Sequence, residues 1–279
     1  MKQILGDNQF FGVNHYDIDK GDKSKEMFNS DESIINFIDN AIDIGMDGFM
    51  INSNNRGYDI VNNISKTTKC EFHYSIPYPH KFASIVNENG MLELLRYVLK
   101  NSSYSALLFH LPLFVIRGNI KRIIPLIVDL EIPKNLPKGS YVYLQNIVTD
   151  LLLGMKRYDL IESYCKAIIQ KGYLPGLITL NPILLDKVIT SLSFKFEKDL
   201  IVCFNINQIG FNVFPNKKDV ENFVFKKTVY RKMGMSILSS GGASNIEESL
   251  VYIKKLPLDY VVYGSSKMMN IQINYNLLK

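Results

Sequence analysis

Short apolar runs alternate along this chain with longer segments of helical periodicity, and this alternation constrains the fold more than any other feature. Repeated strand–helix units of this kind are typical of parallel sheets whose strands are joined by crossover helices. Nine strand-like runs can be read from the sequence, one more than a closed eight-stranded barrel needs. They cover residues 3–6, 48–52, 71–76, 106–110, 141–146, 177–180, 200–205, 236–239 and 260–263.

The length of the chain supports the same fold class. A chain of 279 residues fits one α/β barrel of about 250 residues with some decoration. No internal repeat or linker interrupts the pattern. One predicted helix covers residues 151–169, before Gly172. We therefore expect a single domain over residues 1–279, an α/β fold of the (β/α)8 TIM-barrel type with parallel strands and surrounding helices.

Composition and charge exclude several classes of partner. No apolar stretch is long enough for a transmembrane helix, and the N-terminus lacks a signal-peptide core, so a cytoplasmic protein is expected. The three cysteines are far apart and form no C-x-x-C pair, which favours buried thiols over zinc ligands. The net charge is +5, but the lysine and arginine residues are scattered among acidic residues. We therefore expect neither a nucleic acid nor a membrane as a partner. The oligomeric state stays open.

Two glycine- and serine-rich loops follow the last two predicted strands. In barrels, these two loops often bind phosphate, because glycine lets the backbone approach and the amides at a helix start point at the anion. Ordinary βα turns also favour glycine and serine, so both interpretations stay open. A phosphate-bearing small molecule is the predicted partner. The candidate phosphate- or cofactor-binding residues are Ser240, Gly241, Gly242, Gly264, Ser265 and Ser266.

The residues around these loops sharpen the prediction. Ser244 and Glu247 have the spacing of a capping box and predict where the next helix begins. Lys267 would either add a positive charge to the site or lie in solvent.

The histidines fall near the ends of predicted strands. His110 ends a run just before a turn at Pro112 and is the candidate acid–base catalyst, although a packed core histidine is the alternative. His15 and His80 fall on loops, and His73 is expected inside the barrel or its wall. No pair has the spacing of metal ligands, so no metal is expected.

Amide side chains recur where predicted strands end. Neutral donors and acceptors at fixed points suit hydroxyl, carbonyl or cofactor amide groups. The candidate substrate-binding residues are Asn52, Gln145, Asn146, Asn181, Asn205 and His15, with Asn54 and Asn207 in similar positions.

Several motifs together carry a resemblance to a known family. They are Gly6-Asp7-Asn8-Gln9-Phe10-Phe11-Gly12, the segment 40–49, Phe109-His110-Leu111-Pro112, Gln145-Asn146, and Tyr263-Gly264-Ser265-Ser266 with Asn270-Ile271. In this order they resemble the aldo/keto reductase barrels, over roughly the first half of the chain and the final strand. The resemblance implies that His110 is the catalytic histidine, that Gln145-Asn146 lies near a nicotinamide amide, and that the last loop binds a cofactor phosphate.

The chain departs from this family in its catalytic set of Asp, Tyr, Lys and His. Asn52 stands at the position of the aspartate, and Tyr58 is displaced by one from that of the tyrosine. The strand-three lysine is missing, with Ser75-Ile76-Pro77 in its place. The resemblance therefore implies a related scaffold with altered chemistry.

Three hypotheses remain open. The first is a lyase or isomerase acting on a carbonyl or hydroxyl carbon of a phosphate-bearing or sugar-like molecule, with His110 as acid–base catalyst assisted by Tyr58. The second is an NADP-dependent oxidoreductase of the aldo/keto reductase type. The third is a barrel that binds a small molecule without turnover. The missing lysine favours the first and third hypotheses over the second. The sequence leaves the cofactor open, and NADP is expected only under the second hypothesis.

Overall fold

The computed structural model of the chain describes residues 1–13, 18–64, 69–77, 121, 123–192, 200–243 and 245–279. Eight parallel strands from these ranges form a closed barrel in which each strand pairs with the next and β8 pairs with β1. This confirms the predicted (β/α)8 fold. The strands are β1 Lys2–Leu5, β2 Gly48–Asn52, β3 Glu71–Ile76, β4 Tyr141–Leu144, β5 Leu174–Thr179, β6 Ile201–Asn205, β7 Arg231–Met235 and β8 Tyr260–Tyr263.

Ten α-helices in the described ranges surround this barrel, and two short 3-10 helices, Asn8–Phe11 and Ser239–Gly241, lie in loops. Within the described ranges, every helix is too short or too polar to span a bilayer. The helices are α1 Ile18–Met27, α2 Asp31–Ile44, α3 Asn55–Ile64, α4 Ile123–Glu131, α5 Asn146–Gly154, α6 Tyr158–Gln170, α7 Pro182–Ser191, α8 Lys217–Phe225, α9 Ile246–Lys254 and α10 Met268–Leu278.

Alternate residues of each strand divide the core into two zones, because successive side chains of a strand point to opposite faces. One zone fills the space between strands and helices, and the other fills the barrel interior. In the interior, the ring of Tyr143 packs against Gly176, where a Cβ would lie 2.2 Å from Cδ1 of the ring. The interior cluster comprises Ile4, Met50, Tyr141, Tyr143, Ile178, Ile201, Cys203, Met233, Tyr260 and Val262.

His73 lies in this interior, which confirms its predicted place. Its ring is buried, stacks on Tyr141 at 5.0 Å between centroids, and its Nδ1 is 2.8 Å from the hydroxyl of Tyr143. Burial lowers the pKa of His73, because desolvation disfavours the charged imidazolium. His73 is thus part of the packing.

The seventh strand differs from its prediction. The run 236–239 was predicted as a strand, but β7 precedes it, because Ser236 and Ser239 have φ of 56° and 53° and turn the chain out of the sheet. The observed strand contains Lys232, whose buried ammonium donates to the carbonyl of Val224 at 2.8 Å and to that of Lys226. This contact with the C-terminal end of α8 explains why a lysine side chain can point from the strand towards the helices.

Two other predictions need adjustment. The helix predicted over 151–169 is two helices, α5 and α6, separated at Lys156, where φ is 55°. β3 pairs directly with β4 through His73 and Tyr141, so eight strands close the barrel. The predicted run 106–110, the fourth of the nine, lies outside the described residues.

Candidate active site at the C-terminal mouth

The carboxyl ends of the eight strands form a ring that we call the C-terminal mouth. In barrels of this kind, the loops that leave this ring build the active site. The predicted site residues that the structure describes end or follow β2, β4, β5, β6, β7 and β8, so the topology brings them to one end of the barrel. His110, His15, His80 and Ser244 lie outside the described residues.

A carboxyl group lies at this mouth two residues after β1. Oδ2 of Asp7 accepts two hydrogen bonds from Asn52, one from the backbone N–H at 2.9 Å and one from Nδ2 at 2.6 Å. Burial raises the pKa of Asp7 to about 6, because desolvation outweighs the hydrogen bonds that stabilise the charged form. Such a group changes protonation near neutral pH, which is what acid–base chemistry requires. Asp7 was not among the site residues predicted from the sequence, although its place just after the first strand was visible there.

Asn52 links this carboxyl to the start of α3 through a chain of amides. Its Oδ1 accepts from the backbone N–H of Asn54 at 3.1 Å, and Oδ1 of Asn54 accepts from the N–H of Gly57 at 2.7 Å. A Cβ at residue 57 would lie 2.1 Å from the carbonyl oxygen of Asn52, so only glycine allows this approach. Tyr58 follows directly and is half-buried, and its backbone N–H donates a hydrogen bond to the carbonyl of Asn54 at 2.9 Å. The network therefore orders the turn that carries Tyr58.

The amides after β5 and β6 have local partners. Asn181 caps α7 by accepting from the N–H of Leu184 at 3.1 Å, so its side-chain oxygen is used in the fold. Asn207 holds its own loop through two bonds of 2.8 Å with the backbone of Phe211. Asn205 donates Nδ2 to the carbonyl of Asn212 at 2.8 Å, while its buried Oδ1 has no partner among the described residues. Among these three residues, Asn205 is the one with a buried polar side-chain atom that has no partner in the described part of the chain.

Gln145 follows β4 directly, and Asn146 is the first residue of α5. The N–H of Gln145 donates to the carbonyl of Ile76 at 3.0 Å and extends the pairing of β4 with β3 beyond the strand. Gln145 is the N-cap residue of α5, but its side chain makes no capping bond. Both side chains are half-buried at the mouth.

The loop after β7 uses its amides internally. The N–H of Gly241 donates to Leu238 and that of Gly242 donates to Ser239, each at 3.0 Å. Ser240 and Gly241 have positive φ of 56° and 92°. These amides therefore lie in a tight turn.

The helix after this loop begins one residue later than predicted. Its N-cap is Asn245, whose Oδ1 accepts from the N–H of Glu248 at 3.1 Å, so the capping box shifts from Ser244 and Glu247 by one position. Two glutamates, Glu247 and Glu248, lie in the first turn of α9. Their charge disfavours an anion at this helix start.

The loop after β8 is better suited to an anion. Oγ of Ser265 accepts from the N–H of Lys267 and from Nδ2 of Asn270, each at 3.2 Å. No side chain of the described residues caps the N-terminus of α10, and the first turn of this helix contains no acidic residue. The positive end of the helix dipole is thus accompanied by the exposed ammonium of Lys267.

Comparison with known proteins adds to this description. No protein-family model matches the chain, and no curated protein sequence matches it. A structure of a proposed aldo-keto reductase from Pseudomonas aeruginosa matches with a TM-score of 0.52 and 11% identity, over 99% of this chain and 89% of that chain. A second structure so described, also from Pseudomonas aeruginosa, matches with a TM-score of 0.52 and 12% identity, over 99% and 88%. An aldo/keto reductase from Brucella melitensis matches with a TM-score of 0.52 and 8% identity, over 99% and 87%.

The chain has an aldo/keto reductase-like barrel fold. In this aldo/keto reductase-like barrel, Asn52 and Ser75 are register partners on β2 and β3, where the resemblance implies aspartate and lysine near the two strand ends. Neither residue carries a charge. The carboxyl of Asp7 comes instead from the loop after β1 and bonds to Asn52. The described part of the mouth therefore has a carboxyl group on the loop after β1.

Proposed function

We propose that this chain is an oxidoreductase that reduces a carbonyl group with a nicotinamide dinucleotide, with NADPH as the preferred form. The observation that carries the proposal is the likeness to structures described as aldo-keto reductases, which extends over 99% of the chain. This likeness supports the reductase over the lyase or isomerase hypothesis.

Residues at the mouth fit the carboxamide of such a cofactor. The buried Oδ1 of Asn205 has no partner among the described residues, and an unpaired buried acceptor is costly unless a ligand uses it. Gln145 and Asn146 present further amides at the ends of neighbouring elements. These three residues would hold and orient the nicotinamide ring, which supplies a hydride when the cofactor is bound.

The start of α10 fits a phosphate group of the cofactor. Ser265 and Ser266 bring hydroxyl groups to an uncapped helix N-terminus, and Lys267 adds a positive charge. The extra phosphate of NADPH is more negatively charged than the ribose hydroxyl of NADH. We therefore expect this loop to select NADPH.

The reacting carbonyl would lie between these two regions, close to Asp7 and Tyr58. Asn52 and Asn54 hold the surrounding backbone through the amide chain described above, so these groups need little reorganisation during the reaction. His110 lies outside the described residues and stays an alternative acid–base candidate that was predicted from the sequence.

A direct experiment is to measure the melting temperature of the purified chain with NADPH, NADH and a set of sugar phosphates. A ligand present at 100 times its Kd adds about 2.7 kcal/mol of stability. NADPH is expected to raise the melting temperature most. Its absorbance should then fall when aldehydes or ketones are added.

Two results would count against the proposal. A shift with sugar phosphates and none with either nicotinamide would favour the lyase or isomerase hypothesis. Binding of NADPH with no turnover of any aldehyde or ketone would favour a barrel that binds without catalysis.

A further inference from the structure

We propose that Asp7 is the acid–base catalyst of this barrel: it gives its proton to the carbonyl oxygen during reduction and takes the proton back from the alcohol during oxidation. The proposal rests on the proposed oxidoreductase function and assigns the proton-transfer role to a residue of the β1 loop.

The hydrogen bonds of Asp7 leave one of its oxygens available. Both bonds from Asn52 end on Oδ2, while Oδ1 has no side-chain partner among the described residues. The residue as a whole is half-buried, and the two bonds from Asn52 hold its carboxyl in place. A fixed carboxyl with one open oxygen is the arrangement that a general acid or base needs.

Other carboxylates near the described part of the mouth lack this open oxygen. Asp150 accepts from the hydroxyl of Thr179 on Oδ1 and from the N–H of Leu180 on Oδ2, at 2.9 Å for the latter. Both of its oxygens therefore hold the end of β5. Glu131 accepts from the hydroxyl of Ser53, and both residues are buried among the helices and strands.

The surroundings of Asp7 suit proton exchange near neutral pH. Its pKa of about 6 arises from desolvation, opposed by the two N–H groups of Asn52 and its own backbone N–H. No charged side chain of the described residues contributes to this pKa. A general acid works best when its pKa lies near the operating pH, because it then holds a useful fraction of protons and releases them readily.

When the cofactor is bound, a C–H bond of its reduced nicotinamide would break and would supply a hydride, two electrons and one proton, to the carbonyl carbon, whose π bond to oxygen would break. The Oδ1–H bond of protonated Asp7 breaks, and its proton joins the carbonyl oxygen. The products are an alcohol, the oxidised nicotinamide and the Asp7 carboxylate, which takes a new proton from water.

The test compares the wild type with Asp7→Asn and with Asp150→Asn, the matched loss of a carboxylate from the same mouth. In the wild type, kcat for aldehyde reduction should fall as the pH rises through about 6, and kcat for alcohol oxidation should rise. Asp7→Asn should lower kcat by roughly 10²–10⁴-fold and leave the residual rate independent of pH. Asp150→Asn should keep the pH dependence of the wild type.

Binding separates this proposal from the proposed function. The Kd for NADPH, measured by fluorescence titration, should be nearly unchanged in Asp7→Asn. Bound NADPH and turnover in the wild type, with an Asp7→Asn variant that keeps the rate and pH profile, would overturn the role of Asp7 and leave the oxidoreductase function standing. A wild type that binds no nicotinamide would overturn both proposals.

The wild-type profile decides the question even where Asp7→Asn fails to fold. A kcat for reduction that stays constant between about pH 5 and 8, under conditions where chemistry limits the rate, would exclude a catalyst with the pKa of Asp7. A carboxyl ¹³C titration of the folded protein gives an activity-independent value for the same group. A midpoint near 4 in that titration would also overturn the proposal.

Discussion

The side-chain oxygen of Gln9 occupies the space that a Cβ on residue 264 would need. An ideal Cβ built on Gly264 would lie 2.1 Å from Oε1 of Gln9, far inside van der Waals contact. Gln9 is itself buried and donates Nε2 to the carbonyl of Gly6 at 2.6 Å. The seam between β1 and β8 is therefore closed at the mouth by one amide side chain packed against one glycine.

We expect Gly264→Ala to displace this amide and to cost about 1–3 kcal/mol, the usual cost of a buried polar group left without its partner. Urea unfolding of Gly264→Ala, Gln9→Ala and the double variant would measure the coupling. The cost of the alanine at 264 should largely vanish when Gln9 is already shortened. The same cost in both backgrounds would show that another contact is responsible.

A pair of glycines with open surroundings isolates backbone strain from steric contact. An ideal Cβ on Gly241 or on Gly154 meets no atom of the described residues within 4 Å, but Gly241 has a φ of +92° and Gly154 ends α5. Gly241→Ala should destabilise the protein by about 1–2 kcal/mol, because an L-residue disfavours positive φ. Gly154→Ala should stabilise it by about 0.4–1 kcal/mol, because alanine reduces the entropy of the unfolded chain. Thermal unfolding of both variants checks the opposite signs.

Local sequence predicted the strands that end at clear turn signals. β2 and β3 match their predicted bounds, since β2 is a compact apolar run and Pro77 follows β3 directly. β7 was misplaced because Lys232 depends on a contact with the end of α8, which periodicity cannot reveal. A strand looks polar in the sequence when it contains a lysine that is bound by backbone carbonyl groups at the end of a helix.

The site residues also divide into those that local sequence predicted and those that depend on contacts between distant parts of the chain. Asn52 was found because it ends a strand, and the resemblance marked it as a departure from aspartate. Asp7 was missed because its significance depends on a bond to a residue 45 positions away, across the pairing of β1 with β2. Desolvation, which raises its pKa, also belongs to the folded state alone. The sequence thus predicted where the mouth lies. The pairing of β1 with β2 was needed to identify the carboxyl group of Asp7 as part of it.

Asp7 should make the protein less stable as the pH rises. Burial raises its pKa from the ordinary 3.8 to about 6, so the folded state binds the proton more tightly than the unfolded state. Stability from this group is therefore complete below pH 3.8 and is lost as the pH rises to about 6. At about 1.4 kcal/mol per pKa unit, the loss is at most about 3 kcal/mol, and solvent reduces it because the residue is half-buried.

Asp7→Asn removes this ionisation while its side-chain oxygen can still accept from Asn52. The variant should be more stable than the wild type at pH 8, and the difference should shrink towards pH 4. Urea unfolding of both proteins across this range measures the difference directly. A constant difference at every pH would contradict the desolvated state of Asp7.

The last prediction concerns the choice of cofactor by the loop after β8. Lys267→Glu places a negative charge at the uncapped start of α10, where the first turn contains no acidic residue. Reversing an exposed charge there should cost roughly 1–2 kcal/mol of NADPH binding, or about 5- to 30-fold in Kd, and salt should reduce the effect. NADH, which lacks the extra phosphate, should lose much less. Fluorescence titration of both cofactors measures this, with Lys218→Glu on the exposed start of α8 as the control for a distant charge reversal. Equal losses for NADPH and NADH would mean that Lys267 acts on something other than the extra phosphate, and the phosphate site would then have to be sought away from α10.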